Sequence, residues 1–215
     1  RQLSIGTDPM NQDLAVINAR DFSHDVYEAM AGCLSCKACA GQCPVKVDIP
    51  EMKSRFLEAY HTRYKRPVKD YVIASLEALA PIMAVAPGLF NALQSIPPMP
   101  WIFKRLIGLT DLPKLHRKSL RSALRQRGIG KFRQADLDAL TPDGKAKAVI
   151  IVQDCFTTHY DADVLLAHVD LLQTLGYQVF VPPYRANGKA MHVKGFLKKF
   201  DYQAQQNDIV YGKIA

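Results

Sequence analysis

Apolar residues recur at helical spacing through much of the first hundred positions. The clearest case is the segment "DIPEMKSRFLEAYHTRY", whose apolar face carries Met52, Phe56, Leu57 and Tyr60. Asp48, the first residue of this segment, stands where an N-cap is expected. Further helices are predicted over residues 22–32, 67–87, 88–95 and 101–109.

The pattern changes near Leu140, where β-branched runs begin to alternate with a helix. The run "AKAVIIVQD" predicts a buried strand, and "QVFVPP" predicts a second one. Between them, "DADVLLAHVDLLQTLGY" predicts an amphipathic helix that ends at Gly176. These segments form one βαβ unit from Val149 to Pro182, which is too little for a complete sheet. A basic helix, "HVKGFLKKF", follows, and its first residue, His192, is expected to be solvated.

Positive charge is concentrated in one stretch of the chain. The 215 residues carry a net charge of +8, and the segment Lys114–Arg133 holds eight Lys or Arg and no acidic residue. Such a segment attracts phosphate without reading sequence, and it contains one aromatic residue, Phe132, so specific nucleic-acid binding is not expected. A docking surface for an acidic domain, or attraction of a dicarboxylate substrate, explains the charge equally well.

The remaining composition describes a globular protein of a reducing compartment. Residues 78–103 carry no charge, but they include five prolines, so a transmembrane helix is not expected there. The sequence shows no basic region followed by an apolar run of the secretory-signal type, and four of the five cysteines are clustered too closely for a disulfide framework. Because the chain starts without Met, we expect it to be a piece of a longer polypeptide.

The clustered cysteines carry the strongest chemical signal. They lie within eleven residues and are followed by a proline: Cys33, Cys36, Cys39, Cys43 and Pro44. Thiolates are soft ligands that select zinc, copper(I) or iron–sulfur centres. The spacing Cys-x2-Cys-x2-Cys-x3-Cys-Pro is that of bacterial ferredoxins, in which a tight loop wraps a [4Fe–4S] cluster. We therefore predict that the four thiols are ligands of such a cluster.

Two alternatives and one assignment are open at this point. Zinc is the first alternative, although it prefers two separated Cys-x2-Cys pairs, and four buried structural thiols are the second. A c-type haem is not expected, because it needs a histidine where Lys37 stands. In two-cluster ferredoxins the cysteine before the proline ligates the other cluster, so Cys43 serves either this cluster or a second one outside the sequence.

With this motif in view, the chain resembles the C-terminal iron–sulfur region of bacterial FAD-linked oxidases. The segments that carry the resemblance are "CLSCKACAGQCPVKVDIPEMKSRFLEAYHTRY" and "IVQDCFTTHYDADVLLAHVDLLQTLGYQVFVPPYRANGKAMHVKGF". It is most similar to the FAD- and [4Fe–4S]-containing D-2-hydroxyglutarate dehydrogenase family. The resemblance implies that Cys33, Cys36, Cys39 and Cys43 are the cluster ligands.

The second segment lacks part of a motif found in more distant relatives. Cys155 matches the first cysteine of their cysteine-rich domain, but "PPYRANGKAMHV" has no cysteine where theirs has Cys-Cys-Gly. A second cluster is therefore not expected, and Cys155 is interpreted as a buried apolar residue. His159 and Tyr160 follow the first strand, where open α/β sheets bind ligands, but capping or packing is the favoured role.

The resemblance implies an electron-relay module of a flavin-dependent D-2-hydroxy acid dehydrogenase, with D-2-hydroxyglutarate as the expected substrate. FAD would be held by an N-terminal part of the parent, and the flavin and substrate domains of the same polypeptide would be the partners. The chain itself has no glycine-rich phosphate loop, so it offers no FAD-binding and no catalytic residue and is expected to be inactive alone. The alternative is a separate iron–sulfur subunit of a respiratory dehydrogenase, of the glycolate oxidase or anaerobic glycerol-3-phosphate dehydrogenase type. The expected location is cytoplasmic, with a peripheral position at the inner face of the membrane as the alternative.

The predicted fold class is mixed and mostly α. An α-helical ferredoxin-like [4Fe–4S] domain is expected over residues 1–66. A helical connecting region with the basic stretch follows over 67–140. Residues 141–215 are expected to form an incomplete α/β domain of the cysteine-rich type without Cys-Cys-Gly.

Overall fold

The computed structural model describes residues 21–107 and 113–214. In this part the chain is mostly helical, with one small parallel sheet. The helices are α1 Ser23–Ala31, α2 Ala38–Gln42, α3 Ile49–Arg63, α4 Val68–Met83, α5 Pro87–Ser95, α6 Met99–Ile102, a π-helical turn Phe103–Ile107, α7 Leu120–Gln126, α8 Gln134–Asp138, α9 Pro142–Ala146, α10 Cys155–His159, α11 Ala162–Thr174, α12 Lys189–Val193 and α13 Leu197–Tyr211. The strands are β1 Ala148–Ile150 and β2 Gln178–Phe180. The mixed, mostly α class is confirmed.

Packing divides the chain into two compact units. The first unit comprises the residues up to Ala74 together with Lys189–Asp201, and the second comprises Ser75–Gly188 together with the residues from Tyr202 onward. Two of the three boundaries therefore fall inside α4 and α13, and the third lies directly before α12. The division into 1–66, 67–140 and 141–215 stays a prediction.

The first unit is built on one buried face of α3. Phe56, Leu57 and Tyr60 form its apolar cluster, and the Tyr27 ring of α1 stacks on Tyr60 with ring centroids 4.7 Å apart. The predicted helical face is thus correct for these three α3 residues. Met52 was expected on the same face, but it is 51% exposed, because the buried face of α3 continues toward its N-terminus through Lys53 and Pro50 and leaves Met52 at its edge.

The second unit contains the predicted βαβ element. The strands pair in parallel with Val149 opposite Val179, and α11 connects them. Val169 of α11 is fully buried in the core of this unit. Each strand has three residues, fewer than the sequence predicted, because β2 runs into Pro182 and Pro183, which have no N–H to continue the ladder.

Helix α11 ends as its glycine predicts. Gly176 adopts a left-handed φ of 83°. The Tyr177 N–H donates to the Leu172 carbonyl at 3.0 Å, and the Gly176 N–H donates to the Gln173 carbonyl at 3.0 Å. This pair of bonds is the Schellman motif, which satisfies the last carbonyls of a helix.

The predicted basic helix is interrupted. Gly195, at φ 66°, separates α12 from α13. Arg66 holds the break by donating to the Lys194 carbonyl and, at 3.0 Å, to the Gly195 carbonyl. A continuous helix from His192 to Phe200 was therefore the wrong prediction, since these carbonyls are taken by a distant side chain.

Among the described helices, none combines the length and the apolar content that crossing a membrane requires. The uncharged stretch of residues 78–103 is divided between α4, α5, α6 and the π-helical turn.

We expect Asp48→Ala to destabilise α3. The Asp48 carboxylate accepts a hydrogen bond from the Glu51 N–H at 3.0 Å, and losing such a cap costs about 1 kcal/mol. Hydrogen exchange of the α3 amides in the natural polypeptide measures the effect. Asp48→Asn is the control, because an amide oxygen can still accept from Glu51 while the 3.2 Å ion pair of Asp48 with Lys37 is lost. Equal losses in both variants would contradict the capping role.

Candidate metal centre

The cysteine loop begins where α1 ends. The Cys33 N–H donates to the Met30 carbonyl at 3.1 Å, which turns the chain out of the helix. Three non-glycine residues of the loop then adopt left-handed φ angles: Ser35 at 55°, Lys37 at 61° and Lys46 at 54°. Because such residues rarely take this conformation, the loop is tightly curved on both sides of the short helix α2.

The four cysteines of this loop are free thiols, and all belong to the first unit. Cys33, Cys39 and Cys43 are half-buried, and Cys36 is exposed. Within residues 21–107 and 113–214, no group of three or more His, Cys, Asp or Glu side chains converges as a metal-binding set. The structure therefore places the four thiols on one loop, and their assignment as ligands stays a prediction.

The backbone around Cys43 favours a thiolate. The N–H groups of Val47, Val45 and Lys46 hold the pKa of the Cys43 thiol below its ordinary value, with Val47 contributing most. The Lys46 N–H also donates to the Cys43 carbonyl at 2.9 Å. Backbone amides directed at sulfur and a thiol that ionises readily are what a soft-metal ligand requires. The donor set fits an iron–sulfur cluster.

Lys53 ties the loop to α3. This residue is 8% exposed, and its ammonium group donates to the Cys33 carbonyl at 2.7 Å. The side chain thus fixes the first cysteine of the loop from a helix that begins after the last one. The sequence does not predict this role of Lys53. The only related signal is its position one turn into α3.

Cys155 lies in the second unit, apart from the loop in sequence and in packing. It is 4% exposed and stands at the start of α10, which Asp154 caps by accepting from the Phe156 N–H at 2.7 Å. Burial raises the pKa of the Cys155 thiol. A neutral, buried thiol behaves as a small apolar residue.

His159 and Tyr160 end α10 near the carboxyl end of β1. The rings of His159 and Tyr184 pack edge to face, with their centroids 4.8 Å apart. The Nε2 atom of His159 is buried and has no hydrogen-bond partner among the described residues. Burial lowers the pKa of His159 and raises that of Tyr160 to about 12, so both are uncharged at neutral pH. Packing accounts for Tyr160, whose ring lies 5.7 Å from that of Phe156, but it leaves the His159 Nε2 unexplained.

His192 is a correction. Its side chain is 12% exposed, and Nε2 lies 2.9 Å from a Glu51 carboxylate oxygen. Nδ1 lies 3.3 Å from the Ser54 hydroxyl. The expectation of a solvated His192 was wrong because α12 packs against α3, a contact that local sequence does not reveal.

The chain is similar in sequence to one segment of larger bacterial proteins. The relatives are bacterial dehydrogenases named D-2-hydroxyglutarate dehydrogenase. The protein of Pseudomonas putida is 46% identical over 187 residues, which is 87% of this chain. Those of Escherichia coli and Haemophilus influenzae are 45% and 43% identical over 195 residues, which is 91% of the chain.

The chain spans 19% of the length of these relatives. It is thus homologous to one segment of the D-2-hydroxyglutarate dehydrogenase family, and the predicted resemblance is confirmed. No family model matches the chain, and no solved structure matches it significantly.

Proposed function

We propose that this chain is the electron-relay module of a flavin-dependent D-2-hydroxy acid dehydrogenase. The substrate class follows the name of the relatives, which points to D-2-hydroxyglutarate. The observation that carries the relay role is the run of four free thiols at ferredoxin spacing on one curved loop. These relatives also favour part of a larger dehydrogenase over a separate respiratory subunit.

Cys33, Cys36, Cys39 and Cys43 would hold one [4Fe–4S] cluster. When bound, the cluster supplies one-electron transfer between the flavin and an external acceptor. The chain's own residues have three tasks: the thiolates bind, the N–H groups beside Cys43 stabilise its negative charge, and Lys53 positions Cys33. With α1 and α3 on either side of the loop, an α-helical ferredoxin-like domain is the fold that we propose for this part.

The flavin and substrate domains would lie in the same polypeptide. The length of the relatives, of which this chain spans 19%, supports this arrangement. We place the protein in the cytoplasm, with a peripheral position at the inner face of the membrane as the alternative, because clustered free thiols suit a reducing compartment.

Metal analysis tests the cluster. We expect the natural polypeptide that carries this chain, purified without oxygen, to contain iron and acid-labile sulfide in equal amounts, about four of each per chain. Its visible absorbance should bleach when D-2-hydroxyglutarate is added. Stoichiometric zinc with no sulfide would contradict the proposal.

A further inference from the structure

A cavity opens in the second unit at the carboxyl ends of its two parallel strands. Its volume is about 430 Å³, within the range of small-molecule sites. Gln153, Thr158 and His159 reach it from the segment after β1, and Val181 and Tyr184 reach it from the segment after β2. In parallel α/β sheets this edge is where ligands bind.

The basic stretch lines the other side of the cavity. Five of its eight Lys and Arg residues are on the wall: Arg117, Lys118, Arg121, Arg125 and Lys131. The His116 N–H donates to the His159 carbonyl at 2.8 Å, which fixes the start of this wall against α10. The charge concentration seen in the sequence is therefore folded around a concave site.

Of the three cations of the basic stretch that lie outside the wall, two form ion pairs with described carboxylates. Outside the wall, Arg127 pairs with Asp170 at 2.5 Å and Arg133 pairs with Asp136 at 2.8 Å. Within the described residues, none of the five cations on the wall has a carboxylate within ion-pair distance. Asp163, which lies 3.5 Å from His116, is not among the residues that line the cavity, and neither is any other described acid.

Polar and apolar groups complete the site. The buried Nε2 of His159 has no partner among the described residues, although the residue borders the cavity. Apolar surface comes from Leu124, Ile129, Phe132 and Val181. The wall thus offers several charges for acidic groups and an apolar face for a carbon chain or ring.

We propose that this cavity binds a small organic anion carrying at least two negative charges. Guanidinium and ammonium groups clustered on one concave wall repel one another, and a polyanion relieves this repulsion while forming charge-assisted hydrogen bonds. A dicarboxylate and a phosphorylated compound share this chemistry. The proposal does not depend on the cysteine loop, which belongs to the first unit.

Binding to the natural polypeptide that carries this chain tests the site. Isothermal titration at physiological ionic strength is made with ADP, with glutarate and with inorganic phosphate. The site variant is the triple replacement Arg117→Gln, Arg121→Gln and Arg125→Gln, and all three side chains are exposed, so folding should be retained. We expect the variant to bind ADP, glutarate or both at least about tenfold more weakly than the wild type.

The matched control is Arg127→Gln, which removes the same charge from the same stretch but outside the wall. It should bind as the wild type does. A difference confined to ADP identifies a phosphorylated ligand, and one confined to glutarate identifies a dicarboxylate. The conclusion rests on the difference in affinity between the variants. Binding at a substrate site elsewhere in the polypeptide is the same in all of them and does not change this difference.

Phe132→Ala separates an organic ligand from a free ion. This substitution should lower the affinity for the organic probe and leave the affinity for inorganic phosphate unchanged. Three outcomes would each overturn the proposal. The triple variant could bind the probes as tightly as the wild type, Arg127→Gln could weaken binding as much as the triple variant does, or a difference could be seen with inorganic phosphate alone.

Discussion

We expect Cys36→Ala in the natural polypeptide to abolish the cluster and to slow electron delivery to an external acceptor by at least about tenfold. Cys36 is exposed, so its replacement removes a thiolate without opening a cavity in the core. Reduction of the flavin by substrate should persist, because that step precedes the relay. Iron content and stopped-flow absorbance measure the two effects separately.

Cys155→Ala is the control for this experiment. This thiol is buried in the second unit, and its loss should cost some stability but leave the iron and sulfide content unchanged. Loss of iron in Cys155→Ala would show that this residue is a ligand. Full activity of Cys36→Ala with an external acceptor would contradict the relay.

Gly195→Val should be the most destabilising single change outside the apolar cores. A Cβ at this position would lie 2.7 Å from the Leu57 Cβ and 2.8 Å from the Ser54 carbonyl oxygen, and φ is 66°. A β-branched residue in this conformation adds strain to a clash with backbone that cannot move aside. We expect a loss of roughly 3 kcal/mol or more in the stability of the first unit.

Gly176→Ala distinguishes the cost of a left-handed backbone from the cost of a steric clash. Its φ is 83°, but nothing lies within 4 Å of an added Cβ. This variant should therefore lose only about 1 kcal/mol, the cost of a left-handed alanine. Hydrogen exchange in the natural polypeptide, at α3 for Gly195→Val and at α11 for Gly176→Ala, reports the two effects. Similar losses at both positions would show that the close approach at Gly195 is relieved by small shifts.

The features that could be predicted from the sequence are set by neighbouring residues. The Asp48 cap needs only the N–H of Glu51, three residues on, and the end of α11 needs only Gly176. The apolar residues of α3 and the βαβ element follow from periodicity. The cysteine motif is recognisable for the same reason, since it lies in the spacing of four neighbouring thiols, and their assignment as ligands stays a prediction.

What could not be predicted depends on partners far along the chain. Arg66, 129 residues before Gly195, holds the break between α12 and α13. Nothing in the sequence around Lys53 sets it apart from other lysines. It is buried because its ammonium group donates a hydrogen bond to the carbonyl of Cys33, twenty residues earlier. The cavity of the second unit is a further case, because the basic stretch shows its charge but not the surface that it surrounds.

The first unit is formed by two segments that lie far apart in the sequence, and this affects when it can fold during synthesis. Within this unit the cysteine loop and α3 are made first, and α12, which covers Ser54 and Glu51 with His192, is translated more than a hundred residues later. At bacterial elongation rates of about 5–20 residues per second, the delay is on the order of ten seconds. During that time α3 emerges from the ribosome with one side uncovered. The covered face of α3 is therefore complete only after α12 has been translated.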